Sequence, residues 1–285
     1  VLGIEPSKAY KVALNNGVET LNNYFDDELA ENVIENYGKA SLITAANVFA
    51  HISNPDSVVK TIKKILKSDG TFISESHYLL NLVKTLQYDT IYHEHLRYYH
   101  VGSLKTLFKR HNLEIYKVEK IPTHGGSIRV YTSRKGLYDI DKSVKDILTE
   151  EDDFGINDGS ALNTFRKKVS ISKLKLNALI SNIKNKNERI YGIGAPSRAS
   201  TLINYVGLDE CSIEKILEVS SSHKLNKYVP GTQIQVVDEK CLYSEQPEYV
   251  ILFSWHIAEE LIPILKNKGY LGKFIIPLPD PMILN

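Results

Sequence analysis

The run Tyr92-His93-Glu94-His95 places a phenol, two imidazoles and a carboxylate in four consecutive residues, after an aromatic-flanked apolar stretch. Side chains of these types move protons. An imidazole titrates close to neutral pH, so His95 is the natural general base. Glu94 can orient or tune it, and Tyr92 can donate a hydrogen bond to a developing oxyanion. The set suits removal of a proton from a carbon beside a carbonyl. In an extended segment Tyr92 and Glu94 share one face and His93 and His95 the other, whereas in a loop all four can converge on one pocket. A metal site of His93, His95 and His100 is the competing arrangement. Its spacing matches neither HExxH nor paired cysteines, so no metal ligand is assigned.

A second group lies in the C-terminal half. Arg189-Ile190-Tyr191 runs into Gly192-Ile193-Gly194-Ala195-Pro196-Ser197-Arg198 and then into the helical stretch Ala199 to Tyr205, giving strand, glycine loop and helix. Glycines permit close backbone approach, a helix N-terminus presents free amides, and Arg198 adds charge, so a diphosphate fits there. Gly194, Ala195, Ser197 and Arg198 are the candidate binders, and Lys224 and Trp255 can meet the same ligand; core packing is the plain alternative for Trp255. A dinucleotide site would want GxGxxG and an acid roughly 20 residues on. Ser197 replaces the third glycine and Glu218 is the one candidate acid, which leaves NAD unfavoured.

In the first half, Glu5 ends an apolar strand, where a doubly wound fold commonly uses a carboxylate to accept both ribose hydroxyl protons. Ala46, Asn47 and His51 leave the apolar run Ala40 to Phe49, again where such sheets hold ligands; a capping Asn47 and a packed His51 are the alternative.

The elements that must position these groups follow a βαβ rhythm. Val1 to Ile4, a helix around Ala9 to Asn15, Ala40 to Phe49, a helix from Ser57 to Leu66 stopped by Ser68-Asp69-Gly70, and a strand from Thr71 to Ser74 imply a parallel sheet. A helix from Val101 to His111 precedes two β-rich runs, Leu113 to Glu119 and Gly126 to Thr132, which resemble an antiparallel pair. Lys135 to Gly159 is polar and acidic and reads as a linker, with Glu150-Glu151-Asp152-Asp153 facing solvent. Phe165 to Ile183 is a lysine-rich helix leading into a second α/β rhythm from Arg189 to Phe274. The expected organisation is therefore 1–135, a connecting segment 136–185, and 186–285.

With 285 residues and 42% hydrophobic composition, the chain can build two cores. Lys+Arg 35 against Asp+Glu 34 leaves a net charge of +1 without a basic tract, so a nucleic-acid groove has no electrostatic support. No apolar run approaches a membrane span, and a monomeric, cytoplasmic protein is the default expectation. Cys211 and Cys241 can form neither a disulfide framework nor a zinc site and are expected to be buried thiols. The opening Val1-Leu2-Gly3-Ile4-Glu5 starts in mid-strand and reads as part of a longer chain.

In this order, the motifs resemble those of the sugar-nucleotide C-methyltransferase family. The resemblance rests on Gly3-Ile4-Glu5-Pro6-Ser7, Asn47-Val48-Phe49-Ala50-His51, Asp89-Thr90-Ile91-Tyr92-His93-Glu94-His95-Leu96 and His124-Gly125-Gly126-Ser127-Ile128-Arg129-Val130-Tyr131. The Gly192 loop with Thr201-Leu202-Ile203-Asn204-Tyr205, Pro230-Gly231-Thr232, Trp255 and Pro277-Leu278-Pro279 extend it nearly to the end. It implies an α/β chain with a partial Rossmann-like methyltransferase domain followed by a second Rossmann-like C-terminal domain. It also implies S-adenosylmethionine as cofactor, held by Glu5, Ala46, Asn47 and His51. A nucleotide-linked keto-deoxysugar would be held by Gly194, Ala195, Ser197, Arg198, Thr201, Asn204, Lys224 and Trp255, and methylated through an enolate with His95, Tyr92 and Glu94 catalytic. The family's zinc-binding domain and glycine-rich cofactor loop are not represented, so zinc is expected only in that absent N-terminal part. Ser197-Arg198 and His256 depart from the commoner family residues. A NAD-dependent oxidoreductase and a non-catalytic nucleotide-sugar binding module are the alternatives.

Overall fold

The computed structural model describes residues 1–285. Its regular elements begin with β1 (Gly3–Ile4), α1 (Tyr10–Asn15), β2 (Thr20–Leu21), α2 (Asp27–Tyr37), β3 (Ala40–Ala46), α3 (Pro55–Ile65), β4 (Leu66–His77) and α4 (Leu79–Lys84). They continue with α5 (Val101–Arg110), β5 (Leu113–Ile121), β6 (Ser127–Arg134), α6 (Lys142–Phe154), α7 (Ser160–Lys184), β7 (Ile190–Ile193) and α8 (Ser197–Val206). The last are β8 (Lys215–Glu218), β9 (Gln235–Asp238), α9 (Lys240–Glu245), β10 (Tyr249–Leu252), α10 (Ala258–Asn267), β11 (Lys273–Ile276) and β12 (Met282–Leu284). The chain forms two compact units, one of residues 1–79 and 96–157, the other of 80–95 and 158–285. The second unit thus begins well before the boundary near 185 suggested by the sequence, and it includes the Tyr92 to His95 run.

In the first unit four strands lie in the order β3-β4-β6-β5, β3 and β4 parallel and the others antiparallel, beside a separate parallel pair β1-β2. Phe72, Ser74 and Ser76 of β4 point inward while Thr71, Ile73 and Glu75 alternate outward. Phe49, Phe72 and Phe108 meet there with ring centroids 5.7 to 6.4 Å apart, two of the three contacts edge-on. Asn54 caps α3 by accepting from the Ser57 amide, with Pro55 following it, and Val59, Ile62 and Ile65 turn inward. β1 pairs only with β2, and β3 only with β4. A cleft of about 900 Å³ runs past both, lined by Leu2, Ile4, Val33, Ile43, Ile62 and other apolar groups.

Two expectations for this unit are corrected. Ser68-Asp69-Gly70 lies within β4, where the pairing with β3 shifts between Ala40 and Leu42. The segment expected to be a solvated linker folds as α6, capped by Asp141, and Glu151 from its charge run is fully buried. Val144 and Ile147 supply the apolar stripe that holds the helix down, a weak periodicity masked by the charges around it.

In the second unit the sheet order is β12-β11-β10-β7-β8-β9, with β7 to β11 parallel and β12 antiparallel. Winding proceeds from β7 to β8 and β9 on one side and to β10 and β11 on the other, so the topological switch lies between β7 and β10. Leu176, Ile180 and Ile183 of α7 pack into the core formed by Leu202, Ile203, Ile216 and Ile251. No helix is long and apolar enough to cross a membrane. The cysteines differ from expectation: Cys211 is exposed in the turn organised by Asp209, and Cys241 is partly buried.

Gly192 has a steric reason. A Cβ there would stand 2.6 Å from the Phe253 ring and 2.9 Å from Ile216. Gly192→Ala is expected to destabilise the chain by about 1–3 kcal/mol, the usual range for overpacking. A urea midpoint equal to wild type would mean that the ring moves aside without strain.

Candidate active site

The catalytic candidates sit in a turn rather than a strand: the His95 amide donates to the Tyr92 carbonyl at 3.0 Å. The turn puts Tyr92 and His95 on one side, ring centroids 4.3 Å apart, and leaves His93 and Glu94 exposed. His95 Nδ1 lies 2.8 Å from the Thr90 carbonyl. A carbonyl can only accept, so Nδ1 carries a proton, and in the neutral ring Nε2 presents its lone pair. The Tyr92 hydroxyl, 3.3 Å from Nε2, is then its hydrogen-bond donor. Burial, followed by the charge of Glu94, raises the Tyr92 pKa and keeps the phenol protonated. Glu94 acts on this pair through its field.

The turn is anchored from beneath by Asp89, which is 1% exposed. Its Oδ2 accepts from Arg198 Nε at 2.8 Å and from Trp255 Nε1 at 2.9 Å, and its Oδ1 accepts from Arg198 Nη2 at 3.0 Å. Arg198 Nη1 donates to His256 Nδ1 at 3.0 Å, and the guanidinium lies over the Trp255 ring, 5.2 Å from its centroid. Arg198 is therefore a buried fork engaged by protein groups, and Trp255 is neither plain core nor a free ligand platform. Asp89 carried no signal of its own in the sequence; only the fold brings it to Arg198, 109 positions away.

Tyr88, the neighbour of Asp89, is buried and its pKa is pushed up to about 12, chiefly by burial. A raised phenol pKa contributes stability that is complete below the unfolded value near 10 and is lost as pH climbs towards 12. Alkaline unfolding is expected to coincide with delayed tyrosinate absorbance; Tyr88→Phe should flatten that part of the stability profile.

The glycine loop occupies the switch point. Gly194 has φ +82°, a left-handed conformation natural to glycine. The Ala195 amide donates to Glu218 Oε1 at 2.6 Å, and Lys224 Nζ donates to the Ala195 carbonyl at 2.6 Å. Glu218 thus closes the loop on itself, which weakens the dinucleotide alternative. A cavity of about 300 Å³ opens beside it, lined by Gly194, Glu218, Lys224, Glu239, Ile257 and Leu261 among others. Such a pocket can take a nucleoside, with apolar wall for a base and carboxylates for hydroxyls. Ser197 is exposed at the start of α8 and Thr201 is half-buried one turn on. Asn204 lies farther along, its amide donating to the Ser200 and Pro230 carbonyls and pinning the Gly231 turn.

In the first unit, hydrogen bonds from the Ser7 hydroxyl and amide hold the Glu5 carboxyl below the usual range, so it is ionised and can accept from a diol. Ala46 ends β3, and Asn47 follows with φ 55° while its amide donates to the Glu75 carbonyl at 2.8 Å. His51 is exposed at the end of a 3₁₀ turn that begins at the buried Phe49. The apolar cleft running past β1 and β3 is lined by Gly3, Ile4, Ala45 and Val48, the chain neighbours of Glu5, Ala46 and Asn47, and not by those three residues or His51.

Two family models match the chain and meet near residue 120, within the first compact unit. Residues 122–279 match the model of the C-methyltransferase C-terminal domain, and residues 1–118 match a methyltransferase domain. The C-methyltransferase NovU of Streptomyces niveus is 31% identical over 290 residues, spanning 100% of this chain and 68% of NovU. Among solved structures, a SAM-dependent methyltransferase from Anabaena variabilis aligns with TM-score 0.39 at 13% identity, over 47% of this chain and 68% of the other. One from Clostridium acetobutylicum aligns with TM-score 0.35 at 14% identity, over 47% and 75%. With a family model covering more than half of its residues and a curated relative matched along its whole length, this chain belongs to the C-methyltransferase family.

Proposed function

We propose that the chain performs S-adenosylmethionine-dependent C-methylation of a nucleotide-linked keto-deoxysugar through an enolate. The observation that carries this reading is the geometry of His95: the Thr90 carbonyl accepts from Nδ1–H, so Nε2 is the nitrogen turned towards the Tyr92 phenol, which stays protonated. His95 Nε2 removes the proton from the carbon beside the ketone. Tyr92 donates a hydrogen bond to the oxygen on which charge develops, because such carbon acids are too weak to ionise without both base and oxyanion support. Burial, with the charge of Glu94 second, keeps the phenol from ionising. Gly194, Ala195, Ser197, Lys224 and the adjoining cavity orient the nucleotide, in the same compact unit as the base. Arg198 and Trp255 support that loop from behind, with Thr201 and Asn204 on the helix that follows. Glu5, Ala46, Asn47 and His51 would hold S-adenosylmethionine, whose sulfonium supplies an electrophilic methyl group.

Isothermal titration with a TDP-deoxysugar and, separately, with S-adenosylhomocysteine tests the reading. Binding of the sugar nucleotide is the expected result. Binding of NAD with no response to the sugar nucleotide would overturn it in favour of an oxidoreductase. Sugar-nucleotide binding with no methyl transfer by a longer chain that binds S-adenosylhomocysteine would leave a binding module.

A further inference from the structure

Asp89 accepts three hydrogen bonds from two residues far along the chain, and it is followed by Thr90, whose carbonyl fixes the His95 imidazole. We propose that Asp89 is the positioning residue of the base: clamped by Arg198 and Trp255, it holds the turn at residues 87–90 so that the Thr90 carbonyl selects the His95 tautomer with Nδ1 protonated and Nε2 unprotonated. This rests on His95 being the base and deepens that reading.

Tyr88 fixes one side of the turn, buried in the core and edge-on to Tyr205 of α8 with ring centroids 5.3 Å apart, and Asp89 fixes the side that bears the Thr90 carbonyl. Residues 88–90 form one 3₁₀ turn, with the Thr90 amide and hydroxyl both bonded to the Gln87 carbonyl at 3.1 and 2.8 Å. A single 3₁₀ turn has poorer hydrogen-bond geometry than an α-helix, so side-chain anchors decide where its carbonyls point. The bidentate Arg198 pair gives it directional anchorage, because a planar guanidinium and a carboxylate meet in one geometry. Trp255 adds the carboxylate's third donor, the second at Oδ2, and stacks against the same guanidinium. Arg198 is the second residue of α8, directly after the Gly194 to Pro196 loop, and Nη1 reaches His256 beyond β10. The loop at the switch point and the carbonyl that orients the base are therefore joined by one salt bridge and one peptide unit. A ligand seated on that loop meets a base whose tautomer is already set.

Asparagine at position 89 cannot do this. Its amide nitrogen would face an Arg or Trp N–H, donor against donor, and Arg198 would remain buried without a counter-charge. Asp89→Asn is expected to lower kcat by about tenfold to a hundredfold, the range for groups that orient a reacting imidazole, with KM for the sugar nucleotide within about threefold. The decisive readout is nitrogen NMR of the His95 ring in the full chain, which does not depend on turnover. Wild type should show a slowly exchanging Nδ1–H and an unprotonated Nε2; Asp89→Asn should show mixed tautomers and fast Nδ1–H exchange. Trp255→Phe removes one donor and keeps the salt bridge, so a smaller increase in exchange is expected, and it decides the matter if Asp89→Asn does not fold by circular dichroism. Unchanged His95 signals in whichever variants fold would overturn the proposal. Full turnover in His95→Asn would instead sink the base assignment, leaving the tautomer result to stand or fall separately.

Discussion

His95→Asn is expected to lower the rate of methyl transfer by about 10²- to 10⁴-fold, the range for removing a positioned general base. The substitution is selective. An asparagine amide can still donate to the Thr90 carbonyl, which His95 Nδ1 engages at 2.8 Å, so the turn keeps its anchor while the lone pair at Nε2 disappears. Binding of the sugar nucleotide should stay within about threefold, because the loop and cavity residues are untouched. Equal loss of binding and turnover, measured by titration and by transfer of a labelled methyl group, would make His95 a structural residue. Retained turnover would move the base elsewhere.

The second large effect concerns stability. Glu151 is 0% exposed, and its carboxylate accepts from the Tyr78 hydroxyl at 2.9 Å, His100 Nδ1 at 3.0 Å, the Val101 amide at 2.6 Å and the Gly102 amide at 2.9 Å. It caps the N-terminus of α5 from another helix, where the free amides and the helix dipole favour negative charge. Glu151→Ala would orphan four donors at once. A loss of about 3–5 kcal/mol is expected, the range for removing one partner of a buried ionic group. Glu151→Gln keeps the shape but turns an N–H towards donors, and should fall between alanine and wild type. Urea unfolding of the three proteins checks the order; a loss below about 1 kcal/mol for alanine would mean that water replaces the carboxylate.

Glu151 also marks where reading the sequence fell short. In Glu150-Glu151-Asp152-Asp153 each acid has the same local character, and the run reads as a solvated surface. One of the four is buried because the open end of α5 needs an acceptor at that position, and α6 brings Glu151 there. Arg198 gave the same lesson with the opposite sign. Beside a glycine loop a lone arginine reads as a phosphate ligand, yet its fork closes on Asp89. Glu218 likewise reads as a ribose acid and instead bonds the Ala195 amide.

What the residues determined by themselves were the features set by local spacing. The alternation in Leu113–Ile121 and Ser127–Arg134 specifies an antiparallel pair, and strand, glycine loop and helix from Ile190 to Val206 specify a second α/β unit. The proximity of Tyr92 to His95 is also local, since a three-residue separation meets across one turn. Tertiary structure decided the rest: which acid is buried and which arginine is committed. Each depends on partners far apart in the chain, 50 positions for Glu151 with Val101 and 109 for Arg198 with Asp89. A hydrogen bond is directional and short-ranged, so its partners are chosen by packing that brings distant segments within 3 Å, and no local pattern of residue types encodes that choice.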